Sequence, residues 1–114
     1  MNVEGKVWGS TCPLLQTPAI EIHQIKINSG GFCSTHAHQS KINAFYVLEG
    51  ELIIRRHKDY GLGDETHLFM GDMCVVPAGE KHSFEACQET KALEIYWAEL
   101  NHTDIIRDNV GGMI

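Results

Sequence analysis

The chain has 114 residues, which fits one compact domain in the usual range of ~100–200 residues and leaves no room for a second. Hydrophobic residues at 43% and charged residues at 21% exclude a disordered or fibrous chain. Nine Lys and Arg against 15 Asp and Glu leave a formal charge of -6, which repels a phosphate backbone, so nucleic acid is not an expected partner.

No apolar run approaches the ~20 residues that span a bilayer, and the opening Met1-Asn2-Val3-Glu4-Gly5-Lys6 lacks the apolar stretch of a secretion signal. A soluble, cytoplasmic protein without a membrane partner is expected. Cys12, Cys33, Cys74 and Cys87 are scattered without a Cys-x-x-Cys pair, which argues against a zinc knuckle or a redox dithiol.

Short runs of Ile, Val, Leu, Phe and Tyr, punctuated by eleven glycines, predict a mostly β chain of about eight short strands. Ile20–Ile27 alternates, slips phase at His23-Gln24 and alternates again, the pattern of a strand with a bulge. Asn28-Ser29-Gly30-Gly31 then turns the chain. Phe45–Leu48 and Leu52–Ile54 flank Glu49-Gly50-Glu51, which predicts a tight hairpin pairing the two strands, with Gly50 at positive φ.

Lys58–Glu65 reads as an exposed connection before His67–Met70, Gly71-Asp72 as a turn, and Met73–Val76 and Ala92–Leu100 as further strands. Between these last two lie Pro77-Ala78-Gly79-Glu80, the stretch His82-Ser83-Phe84 and the turn Gln88–Lys91. Thr103–Arg107 is the one candidate helical turn. Strands so closely spaced suggest a closed barrel or a two-sheet sandwich, either of which hides its sheet edges.

His36 and His38 stand two apart, a spacing that puts both imidazoles on one face of an extended chain. Gly30 precedes His36 by five intervening residues, Asn43 follows His38 after four, and Gly50 follows Asn43 after six. A second set begins at Gly71, with five residues to Pro77, then Ala78-Gly79 and two residues to His82. These two sets resemble the paired motifs of the cupin superfamily, and the resemblance runs from near Ile20 to at least Leu100. It implies a single all-β jelly-roll barrel, with a core over about residues 19–100, an N-terminal arm over 1–18 and a C-terminal tail over 101–114.

The resemblance further implies that His36, His38 and His82 meet inside the barrel around a divalent transition metal (Fe, Mn, Ni, Zn or Co), with open positions opposite. Two positions depart from the family pattern. Asn43 stands where a Glu is usual, and Ala86 where the second motif usually ends in Asn. An amide cancels no charge of the cation, so the centre is more electrophilic and favours an anionic or chelating ligand; Asn43 is either a fourth ligand or a hydrogen-bond partner of the ligands.

The ending Leu93–Leu100 with Asp104-Ile105-Ile106-Arg107-Asp108 is similar to the close of the cupin domain in type II mannose-6-phosphate isomerases, except that Val110-Gly111-Gly112 replaces the usual Tyr-Gly-Arg. The expected function is a metal-dependent isomerase of small anionic sugar phosphates. Lys41 and Glu85 are candidate bases and Arg107 a candidate phosphate clamp, although strand parity from His82 puts Glu85 on the outer face. Two alternatives stand beside it: a three-His ferrous dioxygenase of the cysteine or diketone type, and a non-catalytic cupin that binds a sugar or small acid. A homodimer is implied by resemblance. His23, His57, His67 and His102 read as ordinary surface or satisfied core histidines.

Overall fold

The computed structural model describes residues 2–57, 63–98, 100 and 102–114. Among the described residues there are nine strands: β1 (Glu4–Lys6), β2 (Gly9–Gln16), β3 (Ile20–Ile27), β4 (Ile42–Glu49), β5 (Glu51–His57), β6 (Gly63–Phe69), β7 (Met73–Val76), β8 (Lys81–Ala86) and β9 (Thr90–Trp97). They form a six-stranded sheet ordered β1-β2-β3-β9-β4-β7 and a three-stranded sheet ordered β6-β5-β8, with every pairing antiparallel. This is an all-β jelly roll, and among the described residues no helix is long and apolar enough to cross a membrane.

The core fills the space between the sheets with inward side chains such as Ile25, Ile27, Phe45, Val47, Leu52, Ile54 and Phe84, all nearly inaccessible to solvent. Each contributes on the order of 1.5–3 kcal/mol by leaving water. The composition of the inward rows changes along the strands. On β3 the row runs Ile27, Ile25, His23, Glu21; on β4, Val47, Phe45, Asn43; on β8, Ala86, Phe84, His82; on β9, Ala92, Glu94, Tyr96. One end of the barrel is therefore hydrocarbon and the other is polar, and the pairing brings the polar ends together.

The phase slip at His23-Gln24 is not a bulge in β3, whose register with β9 is continuous from Ile20 to Ile27. The irregularity lies in β2, between Pro13 and Leu15. Ile20 and Ile22 lie on the outer face, and the inward row of the same strand turns polar at His23.

The hairpin expected at Glu49-Gly50-Glu51 does not form. β4 pairs with β7 and β9, β5 with β6 and β8, and Gly50 hands the chain from one sheet to the other. Its φ is +95°, and a Cβ there would meet Glu89 O at 2.4 Å, so the corner is packed against the turn before β9. The segment expected as an arm supplies β1 and β2 at the sheet edge. Most of the connection expected at Lys58–Glu65 lies outside the described residues, and its last three residues open β6. Thr103–Arg107 forms no helix: a turn covers His102 and Thr103, and the rest is irregular and exposed.

Candidate metal centre

His36 and His38 lie on an extended segment outside the regular strands. An isolated bridge to β8 holds it, with His36 N–H donating to His82 O at 3.0 Å and His82 N–H to His36 O at 2.9 Å. The Pro77-Ala78-Gly79 turn locks the same segment from behind, since Gly79 N–H donates to His38 O at 2.7 Å. The two motifs are thus joined backbone to backbone. Their three imidazoles stand with ring centroids 4.7–5.4 Å apart, and one ring nitrogen from each lies within 4.8 Å of the others.

The hydrogen bonds orient these rings toward a shared point. His36 Nδ1 lies 2.8 Å from Ser34 O, an acceptor that keeps the proton on Nδ1 and frees the Nε2 lone pair. His82 Nδ1 does the same with Glu80 O at 3.1 Å, and the Glu80 carboxylate is itself gripped by Arg56 from β5. The buried Nε2 of His38 has no hydrogen-bond partner. Burial, followed by the charges of His36, Lys41 and His82, pushes His38 down to about 4, and burial also lowers His82. Neutral imidazoles are what a cation needs.

Asn43 lies against the set. Its Nδ2 donates to Ile95 O at 3.2 Å and Ala44 O at 3.4 Å, which fixes the amide and aims Oδ1 at His82 Nε2, 3.1 Å away. With the His82 proton on Nδ1, two lone pairs face each other there. The neutral Nε2–H tautomer turns the contact into a hydrogen bond to Oδ1, whereas the Nδ1–H tautomer leaves both lone pairs free for a cation. Two ligands at right angles with bonds of ~2.1 Å are themselves separated by about 3 Å. His36, His38 and His82 therefore fit a divalent metal, with Asn43 as a neighbouring ligand or a hydrogen-bond partner of His82: the Nε2 of His38 is orphaned, and Asn43 Oδ1 and His82 Nε2 are spaced as adjacent ligands would be.

The polar end opens into a chamber of about 430 Å³ whose walls include Trp8, Glu21, His23, Lys41, Glu94 and Tyr96. The Tyr96 ring packs edge-on against His38 at 5.1 Å and His23 at 6.0 Å, joining the chamber to the histidine cluster. Glu94 faces this space. Burial raises its carboxyl above the ordinary value, outweighing the Tyr96 hydroxyl and the charges of His23, His36 and Lys41, all of which favour the carboxylate. Burial and Glu94 together push Tyr96 up as well, so its hydroxyl stays a donor. Glu21 and His23 pair at 3.1 Å across the chamber wall.

The other expected site residues are placed differently. Lys41 lines the chamber with its ammonium 4.0 Å from the Tyr96 ring centroid. Glu85 is bound to Arg55 at 3.1 Å on the outer face, away from the cluster. Arg107 is exposed in the tail and is not among the residues lining the chamber. His23, read from the sequence as an ordinary histidine, lines the chamber, and Glu94 was not singled out; the phase slip in Ile20–Ile27, where the inward row leaves hydrocarbon and becomes polar, is the signal that marks His23.

A small antiparallel jelly roll with imidazoles from two motifs converging at one end defines a single-barrel protein with a candidate metal site inside the barrel. The chain belongs to the cupin family: the model of the cupin domain matches residues 23–99. Among solved structures it is similar to KdgF from Halomonas sp., at 16% identity and a TM-score of 0.76, covering 89% of each chain. It is likewise similar to the cupin domain of Schizosaccharomyces pombe Cnp3, at 12% identity and a TM-score of 0.74, covering 87% of this chain and 69% of that one. A third is Bacillus subtilis oxalate decarboxylase, described for its Mn(II) centres, at 14% identity and a TM-score of 0.76, covering 85% of this chain and 27% of that one. At these identities the likeness concerns the fold. No curated protein sequence matches the chain.

Proposed function

We propose that this protein is a divalent-metal-dependent enzyme that moves a proton within a small anionic, sugar-derived metabolite, in the manner of a sugar-phosphate isomerase. The observation that carries the reading is the placement of Glu94, a carboxyl with raised proton affinity, in the chamber that adjoins the three-histidine cluster. His36, His38, His82 and Asn43 would hold the ion, for which manganese is one precedent in a fold neighbour. The bound metal would polarise the substrate's carbonyl and adjacent hydroxyl.

The remaining steps belong to the chain's own residues. Glu94 takes a proton from the carbon beside the carbonyl and returns it to the neighbouring carbon, a role suited to a carboxyl shifted toward neutral pH. The Tyr96 hydroxyl orients that carboxyl. Lys41 lines both this chamber and a second cavity of about 220 Å³ beside it, and its ammonium is placed to take the substrate's acidic group. A cupin that only binds needs no base beside the ligands, and Glu94 in the adjoining chamber is available as one. The reading includes pairing of two chains, supported by the half-buried Ile22, Ile42 and Ile95 on the outer face of the six-stranded sheet; a solution mass of 12.8 kDa by light scattering would remove that part.

The test is incubation of manganese-loaded protein with a panel of sugar phosphates in heavy water, followed by NMR. Deuterium at the carbon beside the carbonyl, together with a changed isomer ratio, is expected, and neither should occur with Glu94→Gln. Absence of exchange across the panel overturns the reading. The all-neutral donor set also suits a ferrous dioxygenase, and oxygen uptake on adding thiols or diketones to iron-loaded protein would transfer the assignment to that class.

A further inference from the structure

The outer face of the three-stranded sheet carries a second group of donor atoms, separate from the barrel interior. Pairing of β5 with β6 sets Ile53 opposite His67 and Glu51 opposite Phe69, so Glu51 and His67 are diagonal neighbours on that face. Cys87, one residue beyond β8, is held there by its N–H, which donates to Glu51 O at 3.0 Å. Glu51 Oε1 lies 3.2 Å from His67 Nδ1, and Cys87 Sγ completes a set of three donors that all lie within 4.8 Å of one another.

The far side of the imidazole is built as well. His67 Nε2 lies 3.3 Å from Glu65 Oε1, so a proton on Nε2 donates to that carboxylate and turns the Nδ1 lone pair toward Glu51 and Cys87. A carboxylate bonded to the outer nitrogen of an imidazole is the arrangement that orients histidine toward a metal. With one proton on the ring, one nitrogen donates to a flanking carboxylate and the lone pair of the other faces its neighbour. Arg55, a basic group on this face, is paired with Glu65 and Glu85. Desolvation and the Glu51 and Glu85 carboxylates hold the Cys87 thiol above its ordinary value.

We infer that Glu51, His67 and Cys87 form a second divalent-cation site, with Glu65 bracing His67, suited to a borderline ion such as Zn2+ or Co2+. One sulfur, one nitrogen and one oxygen donor suit such an ion in a tetrahedral site with water in the fourth position, whereas Mg2+ and Ca2+ require oxygen donors throughout. Adjacent ligands of tetrahedral zinc are separated by roughly 3.3–3.6 Å, a spacing the oxygen and nitrogen already approach and the thiol reaches by a side-chain rotation. Binding releases the proton of Cys87 Sγ as the thiolate forms and ties edge strand β6 to β5 and to the end of β8. The site is independent of the three-histidine centre.

The experiment is anaerobic titration of the reduced full-length chain with Co2+, read as bound cobalt per chain and as thiolate-to-cobalt charge-transfer absorption in the near ultraviolet. The His36→Ala/His38→Ala protein is expected to retain one cobalt per chain and the thiolate band. Cys87→Ala in the otherwise native chain, a change at an exposed position, should lose one cobalt and the band, while Glu65→Gln should keep the band and weaken binding about 10–100-fold. An identical band and stoichiometry in Cys87→Ala and the native chain would overturn the site, as would a native chain that shows no thiolate band at millimolar cobalt. Neither result bears on the isomerase reading, which is tested by deuterium exchange with the cysteine intact.

Discussion

His82 Nε2 and Asn43 Oδ1 face each other at 3.1 Å inside the barrel, with the amide pinned by the carbonyls of Ile95 and Ala44 and the imidazole by that of Glu80. Asn43→Ala removes one of these two groups and leaves the three imidazoles in place. Its metal affinity should fall by roughly 10–100-fold, the usual cost of removing a group that supports a metal site. Asn43→Asp restores a carboxylate and should bind more tightly than the native chain, because a negative charge now faces the cation. Competition with a chromophoric chelator measures both; equal affinity in all three proteins would remove Asn43 from the centre.

The metal-free protein should lose stability on mild acidification. His38 titrates at about 4 when folded and at an ordinary 6.5 when unfolded. As pH falls below 6.5 the unfolded chain takes up this proton first, so the stability that the neutral ring contributes is present above 6.5 and is lost as pH falls toward 4. His82, lowered mainly by burial, adds in the same direction. Melting temperatures of chelator-treated protein between pH 7.5 and 4.5 test this, and His38→Gln should show a shallower decline. Parallel curves for the two proteins would contradict it.

Glu94 has the opposite sign. Its folded carboxyl binds a proton more readily than the unfolded 4.5, so ionising it costs stability as pH rises from 4.5 through the raised folded value. Glu94→Gln keeps the shape and the Tyr96 contact while removing the charge. It should melt above the native chain near pH 8 and lose that advantage near pH 4, while proton transfer to substrate falls by about 10²–10⁴-fold with metal content unchanged. A variant that is both more stable and fully active would show that Glu94 moves no proton.

The strand β3 shows how much of this was legible in the sequence. Its limits, Ile20–Ile27, follow from the run of isoleucines, and His36, His38, Asn43 and His82 follow from motif spacing. The phase slip was visible but ambiguous, because period-two alternation cannot distinguish a bulge from a buried face that turns polar; the difference lies in the pairing with β9. Glu94 is one acidic residue in an alternating strand and becomes distinctive once Phe45 and His23 flank it on the inward side. The expected hairpin at Gly50 fails for a similar reason. A glycine at positive φ between two apolar runs fits a two-residue turn and a corner between sheets equally well, and β7 and β9 take the places beside β4 that β5 would have filled.

That corner yields a stability comparison with the glycine of the Pro77-Ala78-Gly79 turn. Gly50 and Gly79 both hold positive φ, at 95° and 85°, so alanine at either bears the left-handed strain of about 1–2 kcal/mol. At Gly79 nothing lies within 4 Å of an added Cβ, and the cost ends there. At Gly50 the same atom meets Glu89 O at 2.4 Å, Thr90 Oγ1 at 2.6 Å and Thr90 Cα at 2.8 Å. Two of the three belong to backbone that cannot swing aside, and Thr90 Oγ1 is already committed to Glu51 O at 3.0 Å and Gln88 O at 2.9 Å. Gly50→Ala should therefore lower unfolding free energy in urea by roughly 3 kcal/mol or more, against about 1–2 for Gly79→Ala. Equal losses in the two variants would mean that the turn before β9 yields, and that the corner between the sheets is held by conformation alone.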